Sequence, residues 1–343
     1  MLTRDFDYDL PAGAIALHPA PRGESRLLAV DREGAERHRR VRDLPALLRP
    51  GDLVVVNDTR VIPARLYGRR RGEGDGRIEL LLVERTGERE WEALGKPGRR
   101  LRPGTALEFA TGLAAEVVGR AGDGRLRLRF SEEVEPHLER IGHVPLPPYI
   151  KRPDDPADRE RYQTVFARHP GAIAAPTAGL HLTEEILGEL AAAGIEVAYV
   201  TLHVGIGTFK PVTAELVHEH RMDAERYVVP AETAAAWARA RARGGRVLAV
   251  GTTVVRTLET AAISGAGEVR AESGSSTLFI TPGFRFQAVD LLLTNFHLPR
   301  STLLMLVAAF MGRERALGVY REAIAEGYRF YSYGDAMLAE RCR

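Results

Sequence analysis

Four apolar stretches of this chain each stop abruptly in a knot of polar side chains. The run "GDLVVVNDTR" stops in Asn57, Asp58, Thr59 and Arg60, and "IEVAYVTLHVGIGTF" in His203, Gly205, Gly207 and Thr208. "RVLAVGTTVVR" gives Gly251, Thr252 and Thr253, with Arg256 a turn further on, and "VDLLLTNFH" gives Thr294, Asn295 and His297. Short runs rich in valine, isoleucine and leucine, bounded in this way, read as buried strands. In open α/β sheets ligands collect beyond the carboxyl ends of the strands. The four ends are therefore expected to converge on one polar crevice. Imidazoles there suit proton transfer, because histidine changes charge near neutral pH. Hydroxyls and free amides at the helix start in "VGTTVV" suit an anion; plain capping of that helix by Thr252 is the competing reading.

A fifth stretch, "AIAAPTAGLHLT" from Ala172 to Thr183, is small and apolar yet carries Thr177, His181 and Thr183 between the backbone-bending Pro176 and Gly179. It is expected to form a wall of the crevice. A buried histidine is as readily a core imidazole with a satisfied partner, and both readings of His181 stay open at this point. Other chemistries find no support. The Gly-x-Gly of "HVGIGTFKP" meets Pro211 where a dinucleotide-binding turn needs a helix. The ten histidines have no metal-ligand spacing, and His218 and His220, two apart, would face different sides of a helix. No Gly-x-Ser-x-Gly elbow serves a hydrolase.

The elements that must position these groups follow from texture. From about Leu66 to Phe130 the chain reads as short strands of period two separated by Gly-rich turns, "RLRLRF" being the clearest. Six or so such strands predict a small barrel or sandwich, and the Pro-rich "HVPLPPYIKRP" an exit linker. Outside that block strands alternate with helices. "TEEILGELAAAG" is a helix with Thr183 as N-cap and Gly194 as its stop, and another helix runs from the cap Ser301 to Gly312. The expected fold is mixed α/β: residues 1–65 and 151–343 form the catalytic domain, and 66–150 an inserted all-β, barrel-like domain with its linker. A length of 343 residues, 45% apolar and 27% charged, is ordinary for a globular protein of two domains. The single cysteine excludes an internal disulfide. "LLMLVAAFM" is too short to span a bilayer, and no signal-peptide core opens the chain, so a cytoplasmic protein is expected. Net charge is only +2, but lysine occurs just three times among 48 basic residues. Arginine clusters such as Arg69-Arg70-Arg71, His38-Arg39-Arg40 and Arg99-Arg100 suit phosphates, although arginine-rich coding is the plainer explanation.

The segments "FDYDLPAGAIALHPA", "GDLVVVNDTRVIPARLYG", "IGHVPLPPYIKRP", "RYQTVFARHPGAIAAPTAGLHLT", "YVTLHVGIGTFKPV", "EHRMDAERY", "VLAVGTTVVRTLE", "TNFHLPRSTLLMLVAAFMG" and "YRFYSYGDAML" follow one another from about residue 4 to residue 338. In that order they resemble the S-adenosylmethionine:tRNA ribosyltransferase-isomerases of the queuosine pathway. The resemblance implies a mixed α/β domain carrying a β-barrel insertion. It implies that S-adenosylmethionine serves as ribosyl donor, without a metal. The acceptor is the aminomethyl group of 7-aminomethyl-7-deazaguanine at the wobble position of GUN anticodons, in the tRNAs for aspartate, asparagine, histidine and tyrosine. The product is epoxyqueuosine-tRNA, with adenine and methionine released. A monomer without membrane attachment is implied as well.

On that chemistry His203 or His297 is expected as base or acid, and Asp335 as a second acid/base or an adenine contact. Thr252, Thr253 and Arg256 would hold the methionine carboxylate or a phosphate. Asn57 and Arg60 would bind ribose hydroxyls or the target base, and Tyr331 or Tyr333 would stack on a ring. Thr177 and His181 would line the pocket, Thr208 and Asn295 would complete the strand-end set, and Arg69, Arg70 and Arg71 would grip RNA. The chain departs from the family pattern at Asp223, where histidine is usual, and at Thr281, where tyrosine is usual. "SGSSTLF" also lacks a tryptophan often found there. The rival readings are an S-adenosylmethionine methyltransferase, which needs a Gly-rich turn this chain lacks, and a non-catalytic RNA-binding module, which does not need polar strand ends. Free adenine formed only with substrate tRNA separates the first reading from both.

Overall fold

The computed structural model describes residues 1–72, 76–147, 149–150, 152–205, 207 and 212–342. Its chain divides into two compact units. One comprises Met1–Arg60, Gln163–His169 and Ala175–Arg343, and the other Val61–Tyr162 with Pro170–Ala174.

The first unit is built on a nine-stranded mixed sheet. Its order is Glu272–Ser276, Glu225–Val229, Glu196–Leu202, Leu53–Asn57, Val247–Val250, Leu291–Asn295, Ala336–Glu340, Arg26–Val30 and Glu36–Arg40. The four strands from Glu196–Leu202 to Leu291–Asn295 run parallel. Strand Ala336–Glu340 lies antiparallel to Leu291–Asn295 and parallel to Arg26–Val30. Strands covered on both faces must be apolar at every position, which is why "LVVVN" and "VLAV" show no alternation and are buried throughout. Val54, Val56, Leu248, Val250 and Leu293 share a core with Ile186 and Leu190 of helix Glu184–Ala192. The intervening Val55, Ala249 and Leu292 point to the other face and are equally buried.

Local signals fix the helices. Thr183 Oγ1 accepts from Ile186 N at 3.2 Å, and Ser301 Oγ from Leu304 N at 3.2 Å, each an N-cap read from sequence. Gly194, with φ of 72°, stops the first of these helices in a conformation that other residues resist. Helix Thr252–Ser264 is capped differently from the sequence reading. Its N-cap is Gly251, with φ of 96° and no side-chain cap, so Thr252 is the first helical residue. Glu259, on that helix and fully buried, accepts from the backbone N–H groups of Gln287, Ala288 and Val289 at 2.8–3.1 Å. It thereby fixes the entry to strand Leu291–Asn295.

In the second unit six antiparallel strands close into a barrel: Arg65–Arg70, Arg77–Arg85, Glu90–Lys96, Leu126–Phe130, Ala114–Arg120 and Ala106–Phe109. The last pairs back to the first. Alternation is clearest in Leu126–Phe130, where Leu126, Leu128 and Phe130 are buried and Arg127 and Arg129 exposed. Gly95 makes room for the barrel's own packing, since a Cβ there would sit 2.5 Å from both Leu101 Cδ1 and Leu126 Cδ1. The Pro-rich stretch, expected as an exit linker, is partly buried. Val144 and Leu146 are buried, and Val144 N donates to Asp154 Oδ2 at 2.9 Å.

Candidate active site

Sheet register brings the polar strand ends to one edge. Asn57 aligns with Val200, Val250 with Leu293, and Asn295 with Ala336. Leu202–His203, Asn57, Gly251–Thr252 and Asn295 therefore end side by side, across about 14 Å at ~4.8 Å per strand. Asp335, Ser25 and Arg26 continue the same edge, with Arg26 N donating to Asp335 Oδ1 at 2.9 Å.

At the centre Asn57 is fully engaged. Its Nδ2 donates to Leu202 O (3.0 Å) and Thr253 Oγ1 (3.3 Å), and its Oδ1 accepts from Leu202 N (3.0 Å) and Thr59 N (3.1 Å). With both donors and both lone pairs used and 1% exposure, Asn57 holds the strand ends in place. Beside it Thr59 Oγ1 bonds His203 Nδ1 at 2.9 Å. The half-buried His203 keeps Nε2 without a partner among the described residues. Desolvation, then the charges of Arg226 and His169, lower its pKa, so the ring is neutral near pH 7. Asp58, buried behind it, accepts from Thr201 Oγ1 at 2.6 Å and lies 3.6 Å from His169 Nε2.

A second network centres on Asn295. Its Nδ2 donates to His181 Nε2 (3.0 Å) and Tyr331 O (3.1 Å), while Oδ1 accepts from Thr177 Oγ1 (3.0 Å). Only the NH2 can face the Tyr331 carbonyl, which fixes the carboxamide orientation. His181 Nε2 is thus an acceptor, and its proton sits on Nδ1, directed at Ser25 Oγ at 3.0 Å. Burial, then the cations Arg329 and Arg22, push the His181 pKa down to about 4. His181 is accordingly a neutral imidazole satisfied on both nitrogens. Tyr331, half-buried, has φ of 78°, a conformation rare outside glycine. Its N–H donates to Phe296 O at 3.0 Å.

His297 is held on three sides. Its Nε2 bonds Thr294 Oγ1 at 2.8 Å, its N–H donates to Tyr320 Oη at 3.2 Å, and its carbonyl accepts from Tyr8 Oη. Burial lowers its pKa to about 3 and raises those of Tyr8 and Tyr320. The remaining nitrogen, Nδ1, makes no hydrogen bond among the described residues.

Two expected contacts are occupied otherwise. Arg256 is 4% exposed and pairs with the buried Glu225, while Nε donates to Leu278 O (3.0 Å) and Nη2 to Ser276 O (3.3 Å). Glu225 Oε1 in turn accepts from Gly205 N at 3.0 Å, so this pair braces the loop after His203. Asp335 spends Oδ1 on Arg26 N and Oδ2 on Arg329 N (2.8 Å), a backbone clamp at 2% exposure. Tyr333 is 2% exposed. Arg60 is exposed on strand Thr59–Val61. Thr208 lies outside the described residues. Arg69, Arg70 and Arg71 belong to the barrel unit, with Arg71 paired to Glu108 at 3.1 Å. Thr252 and Thr253 stand at the helix start, 7% and 8% exposed, with no side chain capping their amides. Ser25, Tyr8 and Glu225 are not marked by the sequence, because they approach from distant segments. Thr59 and Thr294 stand in the polar knots at the strand ends, but their partners His203 and His297 emerge only from the fold.

Among the described residues no three His, Cys, Asp or Glu side chains gather as metal ligands, and no helix is long and apolar enough to cross a membrane.

Residues 3–339 match the family model described as queuosine biosynthesis protein. A Moorella thermoacetica protein named S-adenosylmethionine:tRNA ribosyltransferase-isomerase is 56% identical, covering 98% of this chain and 99% of its own length. A Gloeobacter violaceus protein of the same name is also 56% identical, over 98% of this chain and 95% of its own. The crystal structure of an S-adenosylmethionine tRNA ribosyltransferase from Thermotoga maritima superposes with a TM-score of 0.56 at 40% identity, over 98% of this chain and 99% of that one.

Proposed function

The chain belongs to the queuosine biosynthesis protein family, and from that premise we propose that it moves the ribosyl moiety of S-adenosylmethionine onto tRNA and isomerises it. The acceptor is the aminomethyl group of 7-aminomethyl-7-deazaguanine at the wobble position of GUN anticodons. Epoxyqueuosine-tRNA forms in the cytoplasm, and adenine and methionine leave. The observation that carries the reading is the shared edge: four parallel strand ends side by side, bearing two imidazoles kept neutral by desolvation.

Neutral rings suit this substrate. A sulfonium is cationic, so an imidazolium beside it would repel it, whereas an imidazole can accept a proton from the acidified C5′ carbon. His203 Nε2, open and backed by Thr59, serves as that base. His297, whose orientation is fixed by Thr294, Tyr320 and Tyr8, serves as the proton donor or relay for the departing adenine. The proton count closes. One proton leaves C5′ and one leaves the attacking amine, adenine takes one back, and one is released with the sulfonium's charge. The uncapped amides of Thr252 and Thr253 offer the methionine carboxylate a helix N-terminus. Ala178, whose Cβ lies 3.6 Å from where a Gly251 side chain would begin, puts an apolar group beside the helix start, which strengthens nearby polar contacts by excluding water.

The test is product analysis with S-adenosylmethionine and anticodon stem-loops carrying the 7-aminomethyl base. Free adenine and methionine, formed only when that RNA is present, are expected. S-adenosylhomocysteine instead of adenine, or no product at all, overturns the proposal.

A further inference from the structure

The end of the barrel from which strands Arg65–Arg70 and Glu90–Lys96 emerge carries several cations with no ion pair among the described residues. Arg69 aligns with Arg77, and Glu79 on the same strand aligns with Lys96, so Arg69 and Lys96 share one rim. The segment that follows, "KPGRRLR" from Lys96 to Arg102, contains no acid. Lys96, Arg99, Arg100 and Arg102 are exposed, and none makes an ion pair among the described residues. Arg120 reaches the same rim. Its guanidinium donates to Gly98 O (2.8 Å), Leu101 O (3.0 Å) and Gly124 O (2.9 Å), all carbonyls, and it has no ion pair among the described residues. Three acids at this end are already taken: Glu79 lies 3.4 Å from Arg65, Glu108 is paired with Arg71, and Asp123 with Arg125.

The segment is also held in place. Leu101 is fully buried and packs where Gly95 leaves room for it. Together with the Arg120 bonds to Gly98 O and Leu101 O, this fixes a short turn in which the exposed Arg99 and Arg100 lie between two anchored carbonyls. An arginine cluster kept for solubility alone would have its acids interspersed. A preformed cationic turn without them, as in 96–102, matches a ligand with regularly repeated negative charge, and arginine forks match phosphodiesters.

We propose that this barrel rim, formed by Arg69, Lys96, Arg99, Arg100, Arg102 and Arg120, binds the phosphate backbone of the substrate RNA. The inference rests on the proposed function for the identity of the RNA, and it places the grip in the turn after Glu90–Lys96 in addition to the Arg69–Arg71 run.

The experiment compares two double variants of equal charge change, R99Q/R100Q on the rim and R127Q/R129Q on the barrel wall. Arg127 and Arg129 are exposed but sit beside Glu92 and Glu90. Binding of a fluorescent anticodon stem-loop is followed by anisotropy from 50 to 200 mM salt. Each lost phosphate contact lowers the slope of log affinity against log salt by ~0.7–0.9. R99Q/R100Q is expected to flatten the slope by about 1.4–1.8 and to weaken binding at least about tenfold, with R127Q/R129Q leaving it unchanged. Equal effects from the two pairs, or none from either, overturn the proposal, as does a rim that captures polyglutamate but not RNA. Adenine release by the unaltered protein separates the failures. If it occurs and the rim variants still bind normally, only the rim assignment falls; if it does not occur, the proposed function falls.

Discussion

Mild acid should unfold the main unit, and two histidines set the magnitude. In the folded chain His181 titrates near 4 and His297 near 3, both held down by burial, whereas in an unfolded chain each titrates near 6.5. Because the folded values are depressed, the unfolded state binds these protons first. Stability is therefore complete above about pH 6.5 and falls as pH drops toward the folded values. Linkage gives ~3 kcal/mol per histidine by pH 4, about 6 kcal/mol together, against a total of ~5–15 kcal/mol for a typical domain. Between about pH 6 and 4.5 each ring contributes ~1.4 kcal/mol per pH unit to the slope. The assay is urea denaturation at stepped pH, read from Trp237 in a Trp91→Phe background, so that fluorescence reports the first unit alone. His297→Gln removes one titration and should cut the slope by ~1.4 kcal/mol per pH unit, whatever it does to stability at pH 7. A slope identical to that of the parent would refute the account of His297 as a desolvated, neutral ring.

Other perturbations probe the site one element at a time. His297→Ala should lower turnover at least about a hundredfold, the low end for acid–base catalysis, with binding of S-adenosylmethionine measured separately by calorimetry; near-normal turnover removes His297 from the chemistry. Arg256→Gln leaves the Glu225 carboxylate buried without its cation, and a loss of ~3–5 kcal/mol is expected in equilibrium unfolding, whereas loss of ligand binding at unchanged stability would return Arg256 to the list of substrate contacts. Gly251→Ala forces a side chain onto φ of 96° with ordinary space around its Cβ, so strain alone should cost ~1–3 kcal/mol and raise the KM for S-adenosylmethionine by tilting the helix start.

Strand ends were the most legible feature of the sequence, because an apolar run buried on both faces stops visibly where it meets polar residues. Caps were legible too when the signal was local, as at Thr183 and Ser301. Thr252 resembles a cap on the same grounds, yet Gly251 takes the position because the chain must turn there through a φ open to glycine. Roles that depend on distant partners could not be read. Asn57 is spent on Leu202, Arg256 on Glu225, Asp335 on Arg26, and His181 on Ser25 and Asn295. Each of those pairs is closed by the sheet rather than by local spacing, so a polar residue at a strand end looked equally suited to substrate and to scaffold. The acid-free character of "KPGRRLR" was visible from the start, but its rigidity needed Gly95, Leu101 and Arg120 together.

The shared edge is tested most directly by a crystal structure with S-adenosylmethionine bound. The account predicts the ligand along that edge, with contacts of about 4 Å or less to His203, to the Thr252–Thr253 amides and to His297. A sulfonium nucleoside bound away from these groups, or touching only one strand end, would contradict it.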